Sequence, residues 1–452
     1  MSFKNINNLF IEERVINLKA NLCLDNKEKS LKYINKFHSS EIASYLQLLD
    51  YNDRKKLIKI LSYNFDPKIL VELESSFLQK IIDELDIKII CKSIKCLDSD
   101  EASSIIKVLD TEKKKIVFSN ISKNIRNSIE KNLSYARDSA GRLMQCEIVR
   151  IPSHYSIKQT LDFLQEDKKL PKVFYDLFIV NENGVLTGTV PLSVIVSSSK
   201  KTKVSSLIKN RNDEIHFSLD QEEVADIFRK RNLTSLAVVD EKKKLLGVIN
   251  VEDIVDVIDT EADEDFLKLG GVGEQSFYDA VMSISKARFA WLLFNLLATF
   301  SAVFVIKNFE DTIQKFALLA ALMPVVASMG GCSGTQSLAT AVRAIAMKKL
   351  TLTNAFRSTG REVLVGFING IIFSLLSFIL TYYFFNDLIL SYIISFSLLM
   401  NLTFGAFFGT FIPIMLTRFG VDPAFASGAL LMTVTDIFGF FLFLGLATMF
   451  LI

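Results

Sequence analysis

Residue types that carry catalysis or hold transition metals are sparse in this sequence. Its 452 residues include three histidines and five cysteines. His38, His154 and His216 are too scattered for a ligand cluster and read as structural or surface side chains. Cys23, Cys91, Cys96, Cys146 and Cys332 form no CxxC pair, which argues against a zinc site or disulfide framework and fits a reducing compartment. There is no nucleophile–base pair, Walker phosphate loop or catalytic metal cluster, so an enzyme or an ATP-driven pump is not expected. The N-terminal stretch MSFKNINNLFIEERV is polar and lacks an apolar core of signal length. The front half is therefore expected to stay in the cytoplasm.

Charge is missing from one region above all. Between Ala424 and Ile452, Asp436 is the only ionisable residue. A run that long and that apolar spans a bilayer as a helix. A carboxylate at mid-span costs about 2.5–3.5 kcal/mol on insertion scales, so it faces a protein interior or a water-filled path and most often handles an ion or a proton. The rest of the chain divides along the same line. From Ile284 onward there are ten Lys and Arg against six Asp and Glu, while the first 283 residues carry 42 against 44. This is a soluble, helix-rich front joined to a membrane domain.

Residues 1–133 read as short amphipathic helices with a weak internal repeat. Glu41–Asp50 (EIASYLQLLD) aligns with Glu101–Asp110 (EASSIIKVLD), and FLQKIIDELDIKIICKSI between them has a similar pattern. Stacked helical hairpins and a plain helical bundle both fit. Further on, Val173–Val180 and Val185–Val190 flank a turn at 181–184, and Ser235–Val239 and Leu245–Ile249 repeat that strand–turn–strand unit. With helical segments at 157–165 and 221–231, this suggests a tandem α/β pair.

Five apolar spans follow, at about 290–306, 316–347, 363–385, 388–417 and 424–452. Lys286, Arg288, Arg343, Lys348, Lys349, Arg357, Arg361 and Arg418 fall on one side, and only Lys307 and Lys315 on the other. The positive-inside rule then predicts a cytoplasmic N-terminus and an external C-terminus. The second span contains MPVVASMGGCSGTQSLATAVRAIA (323–346), where Pro324, Gly330, Gly331 and Gly334 disfavour a plain helix. Small residues let membrane helices approach closely, and broken backbone is tolerated where it lines a cavity. The stretch therefore serves either as a close-packed helix interface or as a polar lining for a hydrated ion. The candidate lining residues are Gly330, Gly331, Cys332, Gly334 and Gln336.

The two strand–turn–strand units look like paired CBS modules, the first less clearly because Pro191 and Ser193 depart from the usual ending. MGGxxGxQ in the second span and TDxxGF in the fifth, with RDSAGRLM at 137–144, make the ordered set specific. The chain resembles the MgtE magnesium channel family along essentially its whole length. The resemblance implies an all-α helical-repeat N-domain (1–133), CBS module 1 (134–200), CBS module 2 (201–258), an acidic connecting or plug helix (259–285) and a five-helix pore domain (286–452). It also implies a homodimer whose twofold axis holds the pore, with Asp436 as the Mg²⁺-binding aspartate. Mg²⁺ usually keeps several waters and needs one or two carboxylates plus other acceptors. Thr433, Thr435 and Ala429 are the candidate neighbours. Two departures bear on selectivity. Cys332 stands where the family often has Asn, and a thiol suits a hard cation poorly. Ser427, Gly428 and Ala429 stand where it often has Asn–Pro.

Eight acids crowd residues 252–265 with no Lys or Arg. A solvated acidic face and a Mg²⁺ sensor both fit. The resemblance favours the sensor, with Asp253, Asp256, Glu261, Glu264 and Asp265 binding regulatory Mg²⁺ and Asp98, Asp100 and Glu101 as candidate N-domain partners. ATP at the CBS modules is a further expectation, set against Asn250 where the usual pattern before the ribose-binding aspartate has Ser or Thr. The expected partners are Mg²⁺, the bilayer of the plasma or inner membrane and a second copy, with no nucleic acid. Two rival readings are a secondary carrier for another divalent cation such as Co²⁺, with proton coupling at Asp436, and a membrane-anchored CBS sensor without transport.

Overall fold

The computed structural model describes residues 13–20, 22, 27–166, 170–171, 173–208, 214–273, 275–276 and 278–451. Cys23 and the first twelve residues lie outside the described residues. The chain forms two compact units, residues 1–261 and 262–452.

The first unit opens with short helices whose starts are written in the sequence. Ser39–Leu48 and Ser99–Val108 occupy the two repeated segments. Each begins with a capping box, His38 with Glu41 and Asp98 with Glu101. In both cases the next helix is capped by an aspartate, Asp50 before Tyr51–Leu61 and Asp110 before Thr111–Asn120. Such caps satisfy backbone N–H groups that have no intrahelical acceptor. The repeat is thus a repeat of cap chemistry as well as of apolar spacing.

The α/β region holds two three-stranded sheets of identical order. In the first, β1 (Arg150–Pro152) pairs parallel with β2 (Asp176–Val180), and β2 pairs antiparallel with β3 (Leu186–Pro191). In the second, β4 (Glu214–His216), β5 (Ser235–Val239) and β6 (Leu245–Asn250) repeat that arrangement, down to a register shift near the end of the central strand. All five residues of β2 and of β5 are buried. Phe178 and Val180 from one sheet and Ala237, Leu245 and Val248 from the other share an apolar cluster. The acidic helix then runs unbroken over Val251–Leu269. The expected division at 258/259 between module and connecting helix therefore falls inside one helix. It ends at Gly270–Gly271, where Gly271 has φ +68°, a left-handed backbone that favours glycine.

Among the described residues, the second unit contains five helices long and apolar enough to cross a membrane: Val281–Lys307, Leu318–Ala346, Ala355–Phe385, Leu388–Arg418 and Pro423–Leu451. Spans 1 and 3 begin several residues before their apolar runs, because turns carrying Lys286, Arg288, Arg357 and Arg361 are still helical. Span 4 is the centre of the bundle. Half of its most apolar stretch is buried inside the protein, against 6% for span 1.

Spans 2 and 4 cross at two glycine pairs. A Cβ on Gly405 would collide with the Gly330 carbonyl oxygen, and one on Gly409 with that of Gly334. Each helix offers small residues four apart, which brings backbones into contact. Ser333 adds a hydroxyl donated to the Leu402 carbonyl at 2.9 Å.

Candidate ion groove and acidic cluster

One side of span 2 and one side of span 5 line an open groove of about 480 Å³. Its lining is Ala327, Ser328, Gly331, Cys332, Thr335 and Gln336 from span 2, with Met432 and Asp436 from span 5. Asp436 is half-buried. Hydroxyl, amide, thiol and a single carboxylate therefore face one space at the level where the helices are otherwise apolar. A hydrated cation is commonly held by one or two carboxylates with other oxygen acceptors reached through its waters.

The candidate lining residues separate by helix face. Gly331, Cys332 and Gln336 line the groove. Gly330 and Gly334 do not. They are buried on the opposite side, against Asn401 and Gly405 of span 4 and Leu431 of span 5. Helical periodicity puts residues one apart on different faces, and close backbone approach claims this pair. The proposed neighbours of Asp436 also turn away. Thr435 is fully buried and donates to its own helix at the Leu431 carbonyl, 2.9 Å. Thr433 donates to the Ala429 carbonyl at 2.8 Å, and Ala429 is buried. None of the three is in the groove lining.

In the soluble unit, carboxylates crowd instead. The Ser99–Val108 helix start brings Asp98, Asp100 and Glu101 towards Glu147 and towards Glu252 and Asp253 at the start of the acidic helix. Glu147 Oε2 accepts from Ser99 N at 3.2 Å and from Ser99 Oγ at 2.8 Å. Asp253 Oδ2 accepts from Asn250 N at 3.1 Å and from Gln145 Nε2 at 3.4 Å. Lys68 reaches Glu101 at 2.5 Å. Asp100 Oδ1 is shut off from solvent and has no hydrogen-bond partner. A buried, unpaired carboxylate oxygen is costly.

The titration behaviour follows from this crowding. Burial, then the charge of Asp253, pushes Asp100 well above the usual carboxylate range. Burial raises Asp253 to about 7, with Glu252, Glu101 and Asp256 adding like charge against the hydrogen bond from Asn250. Asp98 is raised by burial and by Glu101 and Glu147. Asp256 is raised by burial and by Asp259. These acids resist being charged together.

Of the five acids expected to bind regulatory Mg²⁺, Asp253, Asp256 and Glu261 belong to the first unit and Glu264 and Asp265 to the second. Glu261 accepts from Gln221 Nε2 at 2.6 Å. In the second unit, Lys268 pairs with Glu264 at 2.5 Å and with Asp422 at 2.7 Å. Burial and the charge of Asp422 raise Asp265. No group of three or more His, Cys, Asp or Glu is close enough to hold a metal directly among the described residues.

Sequence reading missed Glu147, Ser99, Lys68, Lys268, Asp422, Glu362 and Asn401. The Glu264–Lys268 spacing is a readable i, i+4 pair. Glu362 accepts from Ser337 Oγ at 3.0 Å, and Asn401 is a polar residue in an apolar span, the same signal that marks Asp436. A cleft in the α/β region, lined by Tyr175, Asp176, Ser235 and Asn250 among others, has about 10 Å³ of free space. Asp176 there is held by the hydroxyls of Ser235 at 2.6 Å and Thr234 at 3.1 Å.

The chain matches three family profiles in order: "MgtE intracellular N domain" over residues 37–138, "CBS domain" over 214–260 and "Divalent cation transporter" over 323–446. It is 32% identical over 320 residues to the magnesium transporter MgtE of Bacillus subtilis, covering 71% of each chain. With the protein of that name from Thermus thermophilus it shares 30% over 329 residues, covering 72% of this chain and 73% of the other. Among solved structures, the cytosolic domain of the Mg²⁺ channel MgtE in complex with ATP superposes with a TM-score of 0.51. That likeness has 21% identity and covers 54% of this chain and 99% of that one.

Proposed function

Because the chain belongs to the MgtE family of magnesium transporters, we propose that it is a homodimeric, Mg²⁺-selective channel that imports Mg²⁺ through the cell membrane and closes when cytosolic Mg²⁺ is high. The observation that carries this reading is the groove between spans 2 and 5, where Asp436 is the one charged lining residue and Ser328, Thr335, Gln336 and Cys332 add polar groups among apolar ones. A twofold partner would bring a second Asp436 to the path. Two nearby carboxylates repel, and a divalent cation relieves that repulsion without losing its inner waters. Membrane potential supplies about 2.3 kcal/mol per charge per 100 mV, twice that for a divalent ion. The charge asymmetry of the connecting segments supports a cytoplasmic N-terminus and an external C-terminus.

Closure would use the acids of the soluble unit. When cytosolic Mg²⁺ is low, Asp98, Asp100, Glu101, Glu147, Glu252 and Asp253 repel and favour separation. Mg²⁺ between them favours the packed arrangement and, through the continuous acidic helix, the closed pore. A ligand shifts such an equilibrium only by its differential affinity for the two states. ATP binding, implied by the resemblance, would require the 10 Å³ cleft to open. The site residues proposed are Asp436 with Gly331, Cys332 and Gln336 in the path, and Asp253 and Asp256 with Asp100 in the sensor.

The test is Mg²⁺ uptake into proteoliposomes by wild type, Asp436→Ala and a variant with Asp253, Asp256 and Glu261 neutralised. Loss of flux in the first variant and loss of closure at high Mg²⁺ in the second are expected. Saturable, proton-coupled flux without unitary currents would favour the carrier reading. Uptake unchanged by Asp436→Ala would leave only the non-transporting sensor or another path.

A further inference from the structure

Asn401 is the one fully buried amide side chain at the heart of the bundle for which the groove chemistry above has no use. It lies in span 4, with no exposed surface. Its Nδ2 donates to the carbonyl of Val326 in span 2 at 2.8 Å. Val326 directly precedes Ala327, the first of the span 2 residues lining the groove. The same amide fills the room left by two glycines. A Cβ on Gly330 would collide with it, and a Cβ on Gly439 of span 5 would lie 2.6 Å from Nδ2. Gly439 is three residues past Asp436, just under one helical turn.

A single side chain thus touches the backs of both groove walls. The hydrogen bond is to span 2, and the steric contact is to span 5. Both contacts lie on the side away from the groove, since Gly330 and Gly439 are buried and neither lines it. Span 4 is held in turn by the glycine crossing one turn further along, where Gly405 meets Gly330. Asn401 Oδ1 has no hydrogen-bond partner. An apolar residue of equal volume would fill this position without leaving a polar atom unpaired, so packing alone does not call for an amide here. The amide does what an isostere would not. It fixes one carbonyl of span 2 at a set distance from the backbone of span 5.

We propose that Asn401 is a positioning residue that sets the separation of spans 2 and 5, and through it the fit of the groove at Asp436 to a hydrated divalent cation. The proposal rests on the transport reading above. Asn401 contacts no ion in this scheme. Its effect reaches the ion through the spacing of Asp436 from Ser328, Gly331 and Gln336.

The experiment is uptake of Mg²⁺ and of Co²⁺ by proteoliposomes over a range of ion concentrations, with four proteins. They are wild type, Asn401→Leu, Gly439→Ala and Ser391→Ala. Ser391 is equally buried in span 4 but donates only to its own helix at Asp387. Asn401→Leu removes the hydrogen bond, and Gly439→Ala forces span 5 off the amide without altering it. In monodisperse protein, both are expected to shift half-saturating Mg²⁺ by at least about fivefold and to change the Mg²⁺ to Co²⁺ flux ratio, as a small misplacement of reacting groups does elsewhere. Ser391→Ala is expected to keep wild-type values for both. If Asn401→Leu does not yield monodisperse protein, Gly439→Ala decides alone. The proposal is overturned if the variants that fold keep wild-type half-saturation and flux ratio, or if Ser391→Ala shifts them equally. Failure of wild type to take up Mg²⁺ at all would instead overturn the transport reading.

Discussion

The soluble unit and the membrane unit use carboxylates in opposite ways. In the groove between spans 2 and 5 the one lining carboxylate is Asp436, beside hydroxyls, an amide, a thiol and the apolar Ala327 and Met432. In the soluble unit Asp98, Asp100, Glu101, Glu147, Glu252 and Asp253 crowd until burial and like charge push several of them upward. In the proposed reading, a lone carboxylate in the groove would hold a passing ion weakly enough to release it. A crowd of acids is a spring that, in the proposed reading, protons or divalent ions would relax. The first arrangement suits a path and the second suits a sensor.

The contrast breaks most visibly at Asp436. Asp436→Asn keeps shape and removes the charge, and Mg²⁺ uptake is expected to fall by at least about tenfold, measured with a fluorescent Mg²⁺ indicator inside vesicles. The next largest effect concerns the crowd. Asp253, raised to about 7, binds a proton more tightly in the folded chain than in the unfolded one. The folded state is therefore favoured below that value and loses stability as pH rises from about 4 through about 7. Mg²⁺ should restore what ionisation takes away. Its effect on the thermal midpoint is expected to be larger at pH 8 than at pH 6, and Asp253→Asn should flatten that difference. A Mg²⁺ effect equal at both pH values would contradict the sensor assignment.

Smaller effects sharpen the boundary between the two uses. Lys268 bridges Glu264 and Asp422 with about a fifth of its side chain exposed. Lys268→Met is expected to shift the Mg²⁺ concentration for half-closure by no more than about fivefold, since partly exposed pairs contribute about 0.2–1 kcal/mol. Cys332→Ser is expected to change Mg²⁺ flux by less than about twofold while weakening block by Cd²⁺, which prefers thiolate. Uptake assays with and without Cd²⁺ separate the two outcomes.

Much of this architecture was legible in the residues. Hydropathy located the five spans, and the β5 strand falls on Ser235–Val239 as its β-branched pattern predicts. Asp436 stood out because apolar surroundings make a charge conspicuous. What was not legible depends on partners far away in sequence. Gly330 and Gly331 are adjacent and alike in chemistry, and only the approach of span 4 decides that one packs while the other faces the groove. The pairing of Asp100 with Asp253 spans more than a hundred residues and leaves no local mark. The helix through residue 258 was hidden because the module and its connector share one continuous pattern.

Single-channel recording in planar bilayers tests the central division directly, because it reports conductance and open probability separately. Asp436→Asn should abolish or sharply lower the unitary Mg²⁺ current, whereas neutralising Asp253 and Asp256 should leave its size unchanged and keep the channel open at high cytosolic Mg²⁺. Unitary current that survives Asp436→Asn at wild-type size, or that shrinks when Asp253 and Asp256 are neutralised, would contradict it.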